Sequence, residues 1–74
     1  MNYTGSLEDL KAVVALLHHP GHWVNEGSVQ IFHCDNGDHI NFWPENGELQ
    51  VNGHPETSRG LRQQLEHVLG SLPL

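Results

Sequence analysis

Three alternating segments joined by tight turns most constrain what this chain can fold into. The segments cover residues 30–34, 39–43 and 48–52, and each alternates apolar with polar side chains. A period of two is typical of a strand that is buried on one side only. An Asn-Gly pair at 36–37 separates the first two segments, and it favours a two-residue hairpin turn because both turn positions require positive φ. A Pro-Glu-Asn-Gly run at 44–47 separates the second from the third, so the pattern predicts an antiparallel meander.

The two turns predict a register, and the register sorts the side chains onto two faces. With a two-residue first turn, Cys34 lies opposite His39, and the second turn pairs Trp43 with Glu48. One face then collects mostly aliphatic side chains and is predicted to pack on the core: Val29, Ile31, His33, Ile40, Phe42, Leu49 and Val51. The other face mixes amides with aromatic rings: Gln30, Phe32, Cys34, His39, Asn41, Trp43, Glu48, Gln50 and Asn52.

The polar-aromatic face is predicted to be a binding surface. Isolated exposed apolar side chains are normal on a protein, but clusters of them among amides are less common. The candidate binding residues are Gln30, Phe32, His39, Asn41, Trp43, Gln50 and Asn52. The alternative is that the C-terminal tail, or Trp23 bulged over the sheet, covers these side chains.

Two helices are predicted at the ends of the chain. Ser6 is a candidate N-cap, and apolar residues follow at helical spacing over residues 7–17, so this helix should end near residues 18–19, before a Pro-Gly pair. Thr57 or Ser58 is predicted to cap the second helix. Its apolar positions are Leu61, Leu65, Val68 and Leu69.

The segment at residues 22–25 is predicted to be the first strand, and its turn decides where Trp23 lies. A two-residue turn would put Trp23 on the polar-aromatic face beside Gln30 and Trp43. A three-residue turn with a bulge would put Trp23 in the core, and this second arrangement is slightly favoured.

The predicted order is helix, four antiparallel strands, helix, in one domain over residues 1–74 with a short mobile lead over residues 1–5. Each helix has one apolar face and so does the sheet. The simplest packing therefore sets both helices on the same side of the sheet. The predicted fold class is an α+β two-layer sandwich with one sheet face bare. The tail at residues 72–74 would either fold back onto the core or fray.

Composition narrows the classes of partner. Nine acidic residues against three basic ones give a net charge of −6. Nucleic-acid binders gain most of their affinity by neutralising phosphates, so this balance disfavours a duplex-binding surface and suits docking onto a basic protein. A single cysteine excludes an internal disulfide and favours a reducing compartment. No run is long enough for a membrane span, and the N-terminus does not resemble a signal peptide. We expect a cytoplasmic protein with no membrane association.

The hairpin at residues 39–53 resembles one in the TATA-binding-protein-like fold, as in the N-terminal substrate-binding domains of type-three ribonucleases H. There an alternating strand ends in an aromatic residue, a tight Gly turn follows, and the second strand closes with an amide residue and Gly. Trp43, Gly47, Asn52 and Gly53 match those places. The resemblance implies a curved sheet whose uncovered face is the binding surface, used in that fold for nucleic acid.

Catalysis by a thiol nucleophile is a possibility that the residues themselves argue against. Cys34 and His39 are predicted to be cross-strand neighbours, and a Cys–His contact is the core of such a nucleophile. The carboxylates of Asp35 and Asp38 beside the cysteine would raise a thiol pKa, which is the opposite of activation. No oxyanion-binding loop is evident. We therefore expect no enzymatic activity.

Histidine is abundant, with seven in the chain and three within residues 18–22. Zinc needs four tetrahedral ligands, which usually come from two paired motifs such as CxxC. Nothing in this sequence has that spacing. We expect no metal site and no cofactor.

The sequence therefore predicts a small, acidic, non-enzymatic protein-interaction module of the inhibitor or adaptor type. It would dock through the polar-aromatic face, either to a protein partner or to a second copy. The alternative is a binder of single-stranded nucleic acid or of a nucleotide. In that case bases would stack on Trp43 and Phe32 while the amides read base edges.

Overall fold

The computed structural model describes residues 1–71 and has the predicted order of elements. They are α1 (Leu7–Leu16), β1 (Gly21–Glu26), β2 (Val29–Cys34), β3 (His39–Trp43), β4 (Glu48–Asn52) and α2 (Pro55–Ser71). The strands form one antiparallel sheet in the order β1-β2-β3-β4. The predicted fold-back or fraying of residues 72–74 lies outside the described residues.

The hydrophobic core lies between the two helices and one face of the sheet. The first helix and its C-cap contribute Leu10, Val13, Val14 and Leu17, and the second contributes Leu61 and Leu65. The sheet contributes Phe32, Cys34, Ile40, Phe42 and Leu49. The strand register puts these sheet residues on a single face, so both helices cover the same side. The predicted α+β two-layer sandwich is confirmed.

The first helix begins and ends close to the predicted positions. Ser6 is its N-cap, and the Ser6 side-chain oxygen accepts a hydrogen bond from the Asp9 backbone N–H at 3.1 Å. This bond satisfies one of the free amides that every helix N-terminus carries. At the other end Leu17 is the C-cap, and His18 has a positive φ of 58°, which turns the chain out of the helix.

The second helix begins earlier than the sequence predicts. Its first residue is Pro55, so Thr57 and Ser58 lie inside the first turn and the predicted caps are wrong. The His54 carbonyl accepts hydrogen bonds from the Thr57 and Ser58 amides at 3.2 and 2.8 Å. Proline suits the first helical position because its fixed φ is helical and its missing N–H would have had no partner there.

The sequence predicts a mobile lead over residues 1–5, whereas in the structure the chain there runs beside β4. The Leu49 amide donates to the Met1 carbonyl at 2.8 Å, and the Tyr3 amide donates to the Gly47 carbonyl at 2.7 Å. Tyr3 is a buried member of the core, only 8% exposed. The N-terminal segment therefore extends the edge of the sheet.

The predicted pairing of β3 with β4 is confirmed, but the predicted pairing of β2 with β3 is wrong by one residue. His39 lies opposite His33, not opposite Cys34. The Cys34 amide donates to the Asp38 carbonyl at 2.8 Å, and the Gly37 amide donates to the Cys34 carbonyl at 3.0 Å. The hairpin loop therefore has three residues and not two. Gly37, with φ of 100°, supplies the left-handed residue that such a loop requires.

A shift of one residue exchanges the two faces of a strand, because side chains alternate along it. Three side chains predicted for the uncovered face point towards the helices: Gln30, Phe32 and Cys34. Three predicted for the core lie on the uncovered face: Val29, Ile31 and His33.

Trp23 lies on the helix side of the sheet, as the slightly favoured prediction has it, but for a different reason. That prediction rests on a three-residue turn with a bulge. The hairpin between β1 and β2 instead has a two-residue turn at residues 27–28, with Glu26 opposite Val29. Trp23 pairs with Phe32, and because Phe32 faces the helices, Trp23 does too.

Candidate functional site

One face of the sheet has neither helix against it, and we call it the open face. Every pair of partners in an antiparallel ladder shares a face, so the register defines its members. They are His22, Val24, Glu26, Val29, Ile31, His33, His39, Asn41, Trp43, Glu48, Gln50 and Asn52.

The structure brings five of the seven predicted binding residues together on the open face: His39, Asn41, Trp43, Gln50 and Asn52. It excludes the other two. Phe32 is 7% exposed and packs against Trp23, with ring centroids 5.3 Å apart. Gln30 lies opposite Phe42, a core residue, and so faces the helices. The prediction of an aromatic pair on this face is therefore wrong, and Trp43 is its single aromatic ring besides the imidazoles.

The centre of the open face is an apolar strip that sequence reasoning missed. Val24 pairs with Ile31, and Ile31 in turn pairs with Asn41. All three side chains are half-buried although no helix covers them. Val24 and Ile31 form a small aliphatic patch there, and the polar side chain of Asn41 lies beside it. The strip depends on the observed register, because the predicted register turned Ile31 into the core.

A shallow hollow lies at the end of the open face where Trp43 stands. It has a volume of about 150 Å³ and is lined by Trp43, Asn46, Glu48 and Gln50. Trp43 and Glu48 are directly paired across the two strands. The hollow thus combines an indole with a carboxylate and two amides, a mixture that can hold a planar or hydrogen-bonding group of a partner.

The other end of the open face carries a row of three histidines on adjacent strands. His33 lies between His22 and His39, with ring centroids 5.5 Å from the first and 6.1 Å from the second. The three histidines are visible in the sequence, but only the strand register shows that they lie side by side on one face. Among residues 1–71, no group of three His, Cys, Asp or Glu side chains is arranged to hold a metal ion.

The charges of the molecule are divided between its two layers. Lys11 lies in α1, and Arg59 and Arg62 lie in α2, so the sheet has no lysine or arginine. The open face carries the carboxylates of Glu26 and Glu48. At neutral pH the formal charges of this face are therefore negative.

Asp38 holds the loop that sets the β2 register. Its carboxylate is 2% exposed and accepts hydrogen bonds from the His54 backbone N–H at 2.9 Å and from the Asn36 side-chain amide at 3.2 Å. Burial by itself would raise the pKa of this carboxyl. Hydrogen bonds from the Thr57 side chain, the His54 backbone and the Asn36 side chain, with the His54 charge, outweigh burial and hold the Asp38 pKa below its ordinary value.

Asp38 thereby ties the β2–β3 loop to the start of α2. The carboxylate stands where a capping side chain would stand, at the helix end that favours negative charge. Gly53 has φ of 138°, and a Cβ at this position would collide with Asp38. No pattern in the sequence indicates this contact, because an Asp at a turn end is normally solvated.

The predicted contact between Cys34 and His39 is not formed. The cysteine faces the helices and is 7% exposed, whereas the histidine lies on the open face. Burial raises the pKa of the Cys34 thiol, and the charges of Asp38 and Asp35 raise it further. The thiol is thus neutral and shielded at neutral pH, which is unsuited to nucleophilic chemistry.

Comparison of the chain with protein-family models, with curated protein sequences and with solved structures found no match. Within residues 1–71, neither helix has the length and apolar character that crossing a membrane requires.

Proposed function

We propose that this protein is a small, non-enzymatic interaction module that docks its open face onto a basic protein. The observation that carries the proposal is the uncovered apolar strip of Val24 and Ile31 with Trp43 nearby, on a face whose only formal charges at neutral pH are carboxylates. Aromatic and aliphatic side chains at the centre of a patch, with polar groups around them, are the usual anatomy of a protein interface.

Trp43 is the expected anchor of the interface. Tryptophan is among the residues that contribute most to binding energy, provided that its surroundings exclude water once the partner is in place. The hollow beside Trp43, which Gln50 and Glu48 help to line, offers room for a partner side chain. A basic side chain entering there would meet the Glu48 carboxylate.

Charge favours a basic partner over a second copy. Two copies meeting through their open faces would bring Glu26 and Glu48 of each together, in chains that each carry a net charge of −6. A face of four strands with five or six residues each also has a footprint of only about 350 Å². Stable complexes bury about 800 Å² on each partner, so we expect either a transient complex or one in which loops add to the contact.

The test is capture of a binding protein from cells that make this chain, followed by titration of the purified partner. Wild-type protein should retain a basic protein, and Trp43→Ala should weaken its affinity at least about 30-fold, as expected of an anchor residue. Leu16→Ala is the matched control, because Leu16 is a large apolar side chain, 62% exposed, on the helix layer.

Circular dichroism should first establish that each variant is folded. Equal affinities of wild-type protein and Trp43→Ala would contradict the proposal, and so would a loss that Leu16→Ala shares. Light scattering of the purified chain covers the remaining arrangement. A dimer that Trp43→Ala converts to a monomer would mean that a second copy, and not a basic protein, occupies the open face.

A second candidate function is binding of single-stranded nucleic acid through the same face. It is favoured by Trp43 standing among the amides of Asn41, Gln50 and Asn52, since bases stack on aromatic rings and amides bond to base edges. The absence of lysine and arginine from the sheet speaks against it at neutral pH.

Oligonucleotide titrations distinguish the two functions. A 15-nucleotide oligothymidine should quench Trp43 fluorescence at low salt, and less so at high salt, if this candidate function is correct. A Trp23→Phe background leaves Trp43 as the sole tryptophan. No quenching even at low salt would remove nucleic acid from consideration and leave the protein partner as the remaining proposal.

A further inference from the structure

A cleft opens on the helix side of the sheet, at the edge that α2 leaves uncovered. It lies between α1 and the first two strands and has a volume of about 400 Å³. Its lining residues are Lys11, Val14, Ala15, His19, Pro20, Gly21, Trp23 and Phe32. The cleft is on the opposite side of the sheet from the open face, so its occupancy is independent of the proposed function.

We propose that this cleft binds a small planar aromatic carboxylate. The floor is aromatic: Trp23 and Phe32 are cross-strand partners with ring centroids 5.3 Å apart and planes tilted by 52°. Phe32 is buried, but Trp23 is only half-buried, so part of its indole faces the cleft. A flat ring packed against the accessible part of this indole, beside Lys11, would cover apolar surface that water now contacts.

The anionic group of the ligand would be bound by Lys11. The Lys11 ammonium lies over the Trp23 ring, 5.8 Å from its centre, and Lys11 also lines the cleft. The salt bridge seen within residues 1–71 joins Arg62 to Glu66, so Lys11 forms no close ion pair with a carboxylate of that part of the chain. A cation beside an aromatic floor is complementary to a molecule that carries a carboxylate on an aromatic ring.

A hydrogen bond joins His19, one of the residues that line the cleft, to the second helix. His19 Nε2 lies 2.7 Å from Gln64 Oε1, which fixes the imidazole against α2. Val14 and Ala15 complete the wall on the α1 side. The volume lies within the range of pockets that hold small molecules, which typically combine apolar walls with a few placed polar groups. A molecule with two fused rings and one carboxylate matches this shape and charge.

Nitrogen-15 NMR of the full chain with sodium 2-naphthoate as the probe tests the proposal. The two tryptophans give two indole N–H signals, and Trp23→Phe and Trp43→Phe assign them. We expect saturable movement of the Trp23 signal and none of the Trp43 signal. The neutral analogue 2-naphthalenemethanol should bind about three- to fivefold more weakly, as loss of an exposed ion pair implies.

Two variants and a matched control complete the design. Lys11→Gln should remove the preference for the carboxylate, and Ala15→Phe should fill the cleft and abolish binding of both probes. Arg62→Gln is the control, because it removes a cation of the helix layer outside the cleft. Ala15 is exposed, so we expect Ala15→Phe to fold, and its NMR spectrum reports whether it does.

Three results would overturn the inference. The first is a Trp23 signal that does not move in a saturable way. The second is equal affinity for the charged and neutral probes. The third is a loss of affinity in Arg62→Gln as large as in Lys11→Gln, because that would assign the preference to overall charge and not to the cleft.

Discussion

The two faces of the sheet carry aromatic side chains at neighbouring positions but use them differently. Phe42 is 1% exposed, with the ring of Tyr3 edge-on to it at 5.6 Å. Trp43, the next residue in the same strand, lies on the open face and keeps part of its ring accessible. An aromatic residue therefore does not by itself indicate a core or an interface. What covers it decides, and here the helices and the N-terminal segment cover only one face.

The two faces also differ in whether their polar side chains are buried with hydrogen-bond partners or exposed to solvent. On the helix side, the buried carboxylate of Asp38 has every hydrogen bond that its position requires, and no buried side-chain polar atom of residues 1–71 lacks a partner. On the open face, His22, Gln50 and Asn52 are exposed to solvent. Polar groups on the first face contribute to folding, and those on the second are available to a ligand.

The largest expected effect is a difference in stability between a variant of the helix side of the sheet and a variant of the open face. Phe42→Ala should lower the free energy of unfolding by about 4 kcal/mol, because it removes a fully packed ring and leaves a cavity. Trp43→Ala should cost about 1 kcal/mol, as for a partly exposed side chain. Urea denaturation followed by circular dichroism measures both. Similar losses at the two positions would mean that the open face is covered in solution.

A smaller effect is expected at Asp38. Asp38→Asn should lower the free energy of unfolding at pH 7 by about 2 kcal/mol, since it weakens hydrogen bonds to a charged group. Because the pKa of Asp38 is lowered in the folded protein, the carboxylate stabilises the fold above the ordinary Asp pKa, and this contribution is lost as pH falls through the folded pKa.

The difference between wild type and Asp38→Asn should therefore shrink in acid. Urea titrations between pH 7 and pH 2 measure it. Asp35→Asn is the matched control, since Asp35 belongs to the same loop but is exposed. A difference that stays constant over the whole range, or that Asp35→Asn reproduces, would contradict the role given to the buried carboxylate.

The smallest effect on stability is expected when the single thiol is moved from one face of the sheet to the other. This change also tests the strand register most directly. Cys34→Ser combined with Gln50→Cys moves the single thiol from the helix side to the open face. Iodoacetamide should alkylate the thiol at position 50 at least about 10-fold faster than native Cys34, whose pKa is raised by burial and by the nearby carboxylates. Rapid alkylation of native Cys34 would favour the other register for β2.

Much of the fold could be predicted because local signals agreed. The β3–β4 register is correct since four residues separate Trp43 from Glu48 and Gly47, with φ of 75°, closes the turn. The Ser6 cap was also readable, because a side chain and an amide three residues apart suffice to form it. These features depend on residues close together in the chain.

The β2 register could not be predicted in this way. The strand Val29–Cys34 has apolar side chains on both faces, with Val29 and Ile31 on one side and Phe32 and Cys34 on the other. Either set could form a core. An Asn-Gly pair fits a two-residue loop and a three-residue loop alike, so the choice had no local signal. Five of the seven predicted binding residues lie on the face predicted for them, because they belong to β3 and β4.

By itself the sequence determined the order of elements, the amphipathic character of each, and the packing of two helices on one side of a meander, because periodicity and turn chemistry act over a few residues. Only the tertiary structure decided which side of β2 is buried. The hydrogen bond from His54 to Asp38 spans 16 residues, and the contact between Leu49 and Met1 joins the sheet to the start of the chain. Contacts between residues that are far apart in the chain form only when the whole chain has collapsed, so no local sequence pattern predicts them.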